Sequence, residues 1–362
     1  MYGLQRFKNA SGQDLFGYLL LAALAVLILD LARRLVMGTL APGTLQTLAW
    51  NGVIDSLYIG LAAIGLSMTY SILRFANFAH GDLVTAGAFS GWTVAYIIGG
   101  IGAADIGSRL LLDADGGARA GALGMDILAS PLAIVLGLIA AIILTIVIAI
   151  VFDRLVFKRL RTAGGITLLI ASVGVAFVIR YVIALIYTVN ERGIVASAPF
   201  VEFPLVGEVN LHELTLVTCA VVLILGVHFL LQYTKLGKSM RAMSDNRDLA
   251  RITGIPTERV VTATWVIGGG LAGAAGYLIV LDQSQISINL GWFLLLLIFA
   301  AVILGGIGSI YGAIAGALII GITLNVSLIW LPADLNEVTA FGLMILILIV
   351  KPDGLFGGVE TA

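Results

Sequence analysis

The sequence predicts an all-α protein, a polytopic transmembrane helical bundle with about ten hydrophobic segments, one or more of them short or re-entrant. Three observations predict it. Hydrophobic residues make up 60% of the chain and charged residues 11%, with a mean hydropathy of +1.09, whereas a soluble domain carries roughly 25% charged residues. Apolar runs recur at the length of a membrane crossing, about 20 residues. They lack the apolar–polar alternation of a membrane barrel, so closed helices must satisfy the backbone.

Taken in order, residues 1–14 are polar and form a cytoplasmic N-terminal segment, and 15–37 form an additional N-terminal transmembrane helix. Its apolar part, 15–31, runs into Asp30, Arg33 and Arg34 without the small-residue cleavage pattern of a signal peptide. Asp30 stands three and four residues before the two arginines, so one helix face offsets part of their charge. Further apolar runs occupy 48–70, 83–101, 131–151, 166–187, 214–231, 260–281, 292–304, 310–330 and 338–350, of which 292–304 and 338–350 are short. With the N-terminus inside and crossings alternating, fourteen of the twenty Lys and Arg residues fall on the cytoplasmic side, the bias that sets orientation. Residues 48–350 then form the main transmembrane domain, 233–259 a cytoplasmic loop within it and 351–362 a cytoplasmic tail. The segments 102–130 and 190–213 are acidic and read as solvated external loops. Asp113, Asp115, Gly116 and Gly117 imitate part of a calcium loop but lack its spacing and terminal Glu, and a flexible turn accounts for them.

Several chemistries are excluded. A net charge of −1 gives no global field for nucleic acid. Cys219 has no partner cysteine, and His80, His212 and His228 lie on separate segments, a poor ligand set for metal. Gly268, Gly270 and Gly273 satisfy a dinucleotide pattern inside an apolar helix instead of after a strand, so they read as a small-residue packing face together with Gly269. Gly237-Lys238-Ser239 imitates the end of a phosphate loop, but the glycine required five residues earlier is Gln232. The chain therefore encodes no ATPase and no cofactor site.

The polar, basic stretch 235–259 stands apart from this apolar background. Ser244 or Asp245 is positioned to cap a short helix of about two turns, Asp248 places negative charge in its first turn, and Gly254 followed by Pro256 ends it. Thr257 then caps the next span. Such a helix suits either an interfacial role against anionic membrane lipid or docking of a soluble partner.

Asp248, Leu249, Ala250, three residues and Gly254 resemble a loose form of the Glu-Ala-Ala, three residues, Gly loop by which permeases of ATP-binding-cassette importers engage their ATPases. Residues 73–82, reading Leu-Arg-Phe-Ala-Asn-Phe-Ala-His-Gly-Asp, are similar to a signature of the LivH-type branched-chain amino acid permeases. Residues 264–276 resemble a second signature and 301–313 a third, although Tyr311 stands where members usually carry Pro. The resemblance covers about 51–354 in register; the helix at 15–37 and the length of 102–130 depart from it.

The resemblance implies a permease subunit that forms a path with a second, LivM-like permease, couples to two ATP-binding-cassette ATPase subunits and receives substrate from an extracytoplasmic binding protein. ATP is then used by the partner subunits. The coupling residues would be Ser244, Asp245, Arg247, Asp248, Leu249, Ala250 and Gly254. Similar permeases serve branched-chain amino acids, urea, amides and other small solutes. A stand-alone secondary transporter, with His80, Asp82 and Arg180 as an ion relay, is the alternative.

Two interrupted stretches are candidates for the path or its gate. Arg74, Asn77, His80 and Asp82 break one apolar run, either at a cavity or in an interfacial turn where Arg74 pairs with Asp82. Gly305, Gly306, Gly308 and Ser309, with Gly312, break another, either at substrate or in a tight glycine hairpin. Arg180 lies fourteen residues into its span, where it either snorkels outward or pairs with an acidic group, for which Asp55 is nearest by estimated depth.

Overall fold

A computed structural model describes residues 12–99, 126–189, 191–193, 199–203, 207–283 and 285–356. The acidic motif at Asp113–Gly117, most of 102–130, the first eleven residues and the last six lie outside the described residues. Its long helices are α1 (Gly12–Val36), α2 (Pro42–Leu73), α3 (Ala79–Gly99), α4 (Pro131–Phe152), α5 (Gly165–Tyr187) and α6 (Leu211–Tyr233). Two short helices follow, α7 (Lys235–Asp245) and α8 (Arg247–Ile252), and then α9 (Thr257–Gln283), α10 (Leu290–Gly305), α11 (Ile310–Val326) and α12 (Asn336–Val350). The protein is a polytopic helical membrane protein: seven described helices, those built on α2, α4, α5, α6, α9, α11 and α12, are long and apolar enough to cross a membrane.

Helices α2, α3 and α9 form the centre, while α4, α5, α6 and α12 surround it with apolar side chains turned outward. The most apolar window of α9 is 89% buried and that of α12 only 6%. An apolar exterior is what lipid requires, so tight packing at the centre must come from small residues and shape. A Cβ on Gly276 would strike the Val84 carbonyl of α3, and Gly269 and Gly273 sit against Ala149, Ala141 and Thr145 of α4. The dinucleotide-like glycines thus lie within a helix and serve close packing. Gly305 and Gly312 oppose one another across the α10–α11 turn so closely that neither has room for a side chain.

The segment 190–213, read as external loop, contributes to two short antiparallel pairs. Phe200–Phe203 (β2) pairs with Gly207–Asn210 (β3), and Arg192–Gly193 (β1) pairs with Gln285–Ile286 (β4). Strands this short carry little pattern, and the β1–β4 partners lie more than ninety residues apart. Helix α4 continues through a π turn, Asp153–Phe157, into Lys158–Leu160. There Arg161 bonds Asp153 at 2.6 and 2.9 Å and reaches Glu258, at the start of α9, at 3.0 Å.

Candidate functional site

Helix α3 does not begin at the end of the bundle. The Nε2 of His80 lies 2.8 Å from the carbonyl of Ala62, eleven residues before the end of α2. At 1.5 Å per residue that is about 16 Å inside the helix end. Arg74 closes α2 in a left-handed conformation, φ 59°, and the irregular residues 74–78 climb back along it. Their polar groups are largely met: Asn77 Oδ1 accepts from Ala79 N–H at 3.2 Å, and Ser172 Oγ accepts from Phe78 N–H at 3.0 Å. The Nδ2 of Asn77 is buried without a partner.

Helix α10 begins at the same depth. Its Gly291 N–H donates to Thr85 Oγ1 at 2.9 Å, and Gly291 meets the Gly81 carbonyl so closely that neither glycine has room for a side chain. From there α10 runs sixteen residues to Gly305, about 24 Å, and turns through Gly306, Gly308 and Ser309. Ser67 Oγ of α2 donates to the Ser309 carbonyl at 3.3 Å. The short apolar run at 292–304 is therefore a helix that starts inside the bundle. Two interrupted helices meeting amino end to amino end at depth is a transporter arrangement.

At this junction Arg180 of α5 donates from Nε and Nη2 to the two Asp82 carboxylate oxygens, each at 2.9 Å. Its guanidinium carbon lies 4.7 Å from the Trp292 ring centroid and 5.5 Å from that of Phe177. Two sequence expectations are corrected here. Arg180 pairs with Asp82, not Asp55; Asp55 instead accepts from Tyr58 and, at 2.6 Å, from Asn325 Nδ2. Nor does Arg74 pair with Asp82 in an interfacial turn, because the climb of 74–78 carries Asp82 inward while the exposed Arg74 bonds the Ser244 carbonyl.

The polar stretch forms two helices. Thr234 caps α7, its Oγ1 accepting from Gly237 N–H at 3.1 Å, and Gly237 lies against the Leu230 and Leu231 carbonyls, where a Cβ would clash. Met240 and Met243 bury α7 against the bundle, and Arg241 donates to Gln232 at 2.8 Å. The cap of α8 is Asn246, whose Oδ1 accepts from Leu249 N–H at 2.9 Å, while Ser244 and Asp245 end α7. That corrects the cap expected at Ser244 or Asp245. Asn is among the best N-cap residues, so Asn246 itself carries the signal for this cap. Thr257 opens α9 instead of capping it; Pro256 precedes it, and its carbonyl accepts from Arg259 and Val260 N–H.

Gly254, at φ +87°, ends α8 in a Schellman motif: Ile255 N–H bonds the Ala250 carbonyl at 3.0 Å and Gly254 N–H that of Arg251 at 3.2 Å. Ala250 packs inward, whereas Leu249 and Ile252 are 53% and 81% exposed beside the exposed Arg247, Asp248 and Arg251. A cavity of about 80 Å³ between this insertion and the bundle is lined by Ser71, Gln232, Arg241, Ser244, Asp245 and Gly308 among others. It joins the insertion to the glycine turn.

An apolar-sided bundle with two interrupted helices and a charge pair inside defines a multi-pass membrane protein of the transporter class. The chain belongs to the family described as branched-chain amino acid transport system permease components, whose model matches residues 48–348. It is 28% identical over 319 residues to the high-affinity branched-chain amino acid transport system permease protein LivH of Salmonella typhimurium, covering 86% of this chain and 95% of that protein. The BraD permease protein of Pseudomonas aeruginosa is 26% identical over 316 residues, with the same coverage. A probable LivH of Methanocaldococcus jannaschii is 29% identical over 323 residues, covering 85% of this chain and 91% of that one. No solved structure matches. The chain is a multi-pass plasma-membrane permease, not an enzyme.

Proposed function

We propose that this chain is the transmembrane permease subunit of an ATP-binding-cassette importer for branched-chain or related small amino acids. It forms the translocation path with a second, LivM-like permease, while two cytoplasmic ATPases bind and hydrolyse ATP and an extracytoplasmic binding protein delivers substrate. Helices α1, α3 and α10 join the seven long apolar ones, so that about ten segments enter the membrane, some only in part.

The observation that carries this reading is α8. A six-residue helix, capped at both ends and held by Ala250, presents Leu249 and Ile252 to water. Leucine and isoleucine exposed together on a polar segment suit a partner that covers them. An ATPase cleft covers them, and Asp248, Arg247, Ser244 and Asp245 supply the polar rim. Motion of the ATPases reaches the path by two connections: Arg74 to the Ser244 carbonyl, which links α2 to the insertion, and Arg161 to Glu258, which links α4 to α9. The partner drives the change only because it binds the two states of the permease unequally.

The experiment is uptake of radiolabelled leucine, valine, urea and acetamide into vesicles holding the complete complex with ATP inside. ATP-dependent accumulation of leucine and valine supports the reading. Accumulation of urea or acetamide alone moves the chain to another substrate class.

A further inference from the structure

From the same junction we infer that Arg180 receives the carboxylate of the transported amino acid, with Asp82 as the group it displaces and Trp292 and Phe177 as the apolar wall beside it. This rests on the permease reading above and names the recognition chemistry within it. Among the described residues, Arg180 is the one Lys or Arg whose guanidinium or ammonium forms a bidentate pair with a wholly buried carboxylate inside the bundle. A zwitterion crossing a low-dielectric path needs a partner for its carboxylate, and a guanidinium offers five N–H donors in a fork matched to one.

Geometry says which donors remain. Asp82, wholly buried at the amino end of α3, takes Nε and Nη2. Asp82 does not engage Nη1, and the Arg180 side chain keeps an exposure of 10% beside the surface of the subunit. That surface is aromatic: Phe177 stacks with Tyr181 at 6.2 Å and lies 6.3 Å from Trp292, and Phe177 and Tyr181 are 42% and 66% exposed. Apolar rings beside a guanidinium suit a ligand with a carboxylate at one end and a branched hydrocarbon at the other.

Asp82 makes the site reversible. A substrate carboxylate docks on the free N–H edge and competes with Asp82 for the rest, and return of Asp82 expels it. The pair also holds three elements, α3, α5 and α10, at the point where the interrupted helices meet, so occupancy is felt by the joints of the path.

The test uses the membrane complex of both permeases and both ATPases in lipid nanodiscs, and measures equilibrium binding of radiolabelled L-leucine in competition with 4-methylvalerate, which lacks the amine, and L-leucinamide, which lacks the carboxylate. The inference expects 4-methylvalerate to compete and leucinamide not to. Arg180→Gln lowers leucine affinity by about tenfold or more, as loss of a charge-assisted hydrogen bond implies. Asp82→Asn acts with the opposite sign: it raises affinity by removing the competitor while slowing uptake. A purely structural ion pair predicts that both variants lose binding together. Trp292→Leu, which leaves both charges in place, guards against failed assembly and lowers affinity roughly two- to fivefold, the range of a cation–π contact. Equal competition by leucinamide, wild-type affinity in Arg180→Gln, or parallel losses in both charge variants overturns the inference. Absence of leucine binding by a complex that still accumulates leucine does so too. Failure of the complex to transport any amino acid instead overturns the permease reading beneath it.

Discussion

Replacing Gly254 separates the lever from the bundle it moves. Gly254 sits at φ +87°, and a Cβ built on it meets nothing within 4 Å. The cost of a side chain there is therefore conformational, about 1–2 kcal/mol for a residue forced into the left-handed region. A cost of that size lowers the ratio of closed to open Schellman turn by a factor of about 5–30. Gly254→Val is expected to reduce ATP-driven leucine uptake by up to that factor while leaving the melting temperature of the detergent-purified bundle unchanged. Gly254→Asn, which tolerates the left-handed region, retains uptake within about twofold. The assay is initial uptake rate in vesicles, paired with size-exclusion profiles to count assembled complex. Wild-type uptake in Gly254→Val, or equal loss in the Asn variant, refutes the argument that the αL turn positions α8.

Three further outcomes follow from contacts described above. Gly276→Leu drives a side chain into the Val84 carbonyl of α3, and overpacking of at least about 1–3 kcal/mol should abolish monodisperse protein in fluorescence size-exclusion; a normal profile contradicts the packing account. Arg161→Gln leaves Asp153, whose side chain is only 6% exposed, without its guanidinium, which costs about 3–5 kcal/mol. The double variant Asp153→Asn with Arg161→Gln should recover most of the lost thermal stability, and an unaffected single variant speaks against the pairing. Asn246→Ala removes the cap of α8 at a cost of about 1 kcal/mol, so uptake falls about fivefold, whereas Asn246→Asp keeps it; equal loss in both would mean the cap is not what matters.

Much of this molecule is written in local pattern. Apolar runs and the Gly254-Ile255-Pro256 stop are read residue by residue, and the structure places helices and a helix end there. The misplaced pairings have one physical cause. Straight helices starting at the membrane boundary put Arg180 level with Asp55. Residues 74–78 break that rule by climbing back along α2, so Asp82, ninety-eight positions from Arg180, arrives at its level. No period in a sequence announces such a climb; the polar cluster Asn77, His80 and Asp82 was the one sign, and it admitted two readings. Trp292 gave none, since an aromatic within an apolar run looks like any other lipid-facing residue until a cation is found beneath it. The short β pairs and the π turn at Asp153–Phe157 were equally silent, the first because their partners are distant or the strands brief, the second because it differs from an α-helix by a single hydrogen-bond step.

The central claim is that the bundle moves solute only when driven through its water-facing insertion. Vesicles containing this chain alone, and matched vesicles containing the complete complex, should be loaded with ATP and followed for accumulation of radiolabelled leucine, with and without an imposed proton gradient. The account predicts uphill accumulation with the complex and ATP, and none with the single chain under any gradient. Concentration of leucine by the single chain, with no nucleotide-hydrolysing partner present, would contradict it.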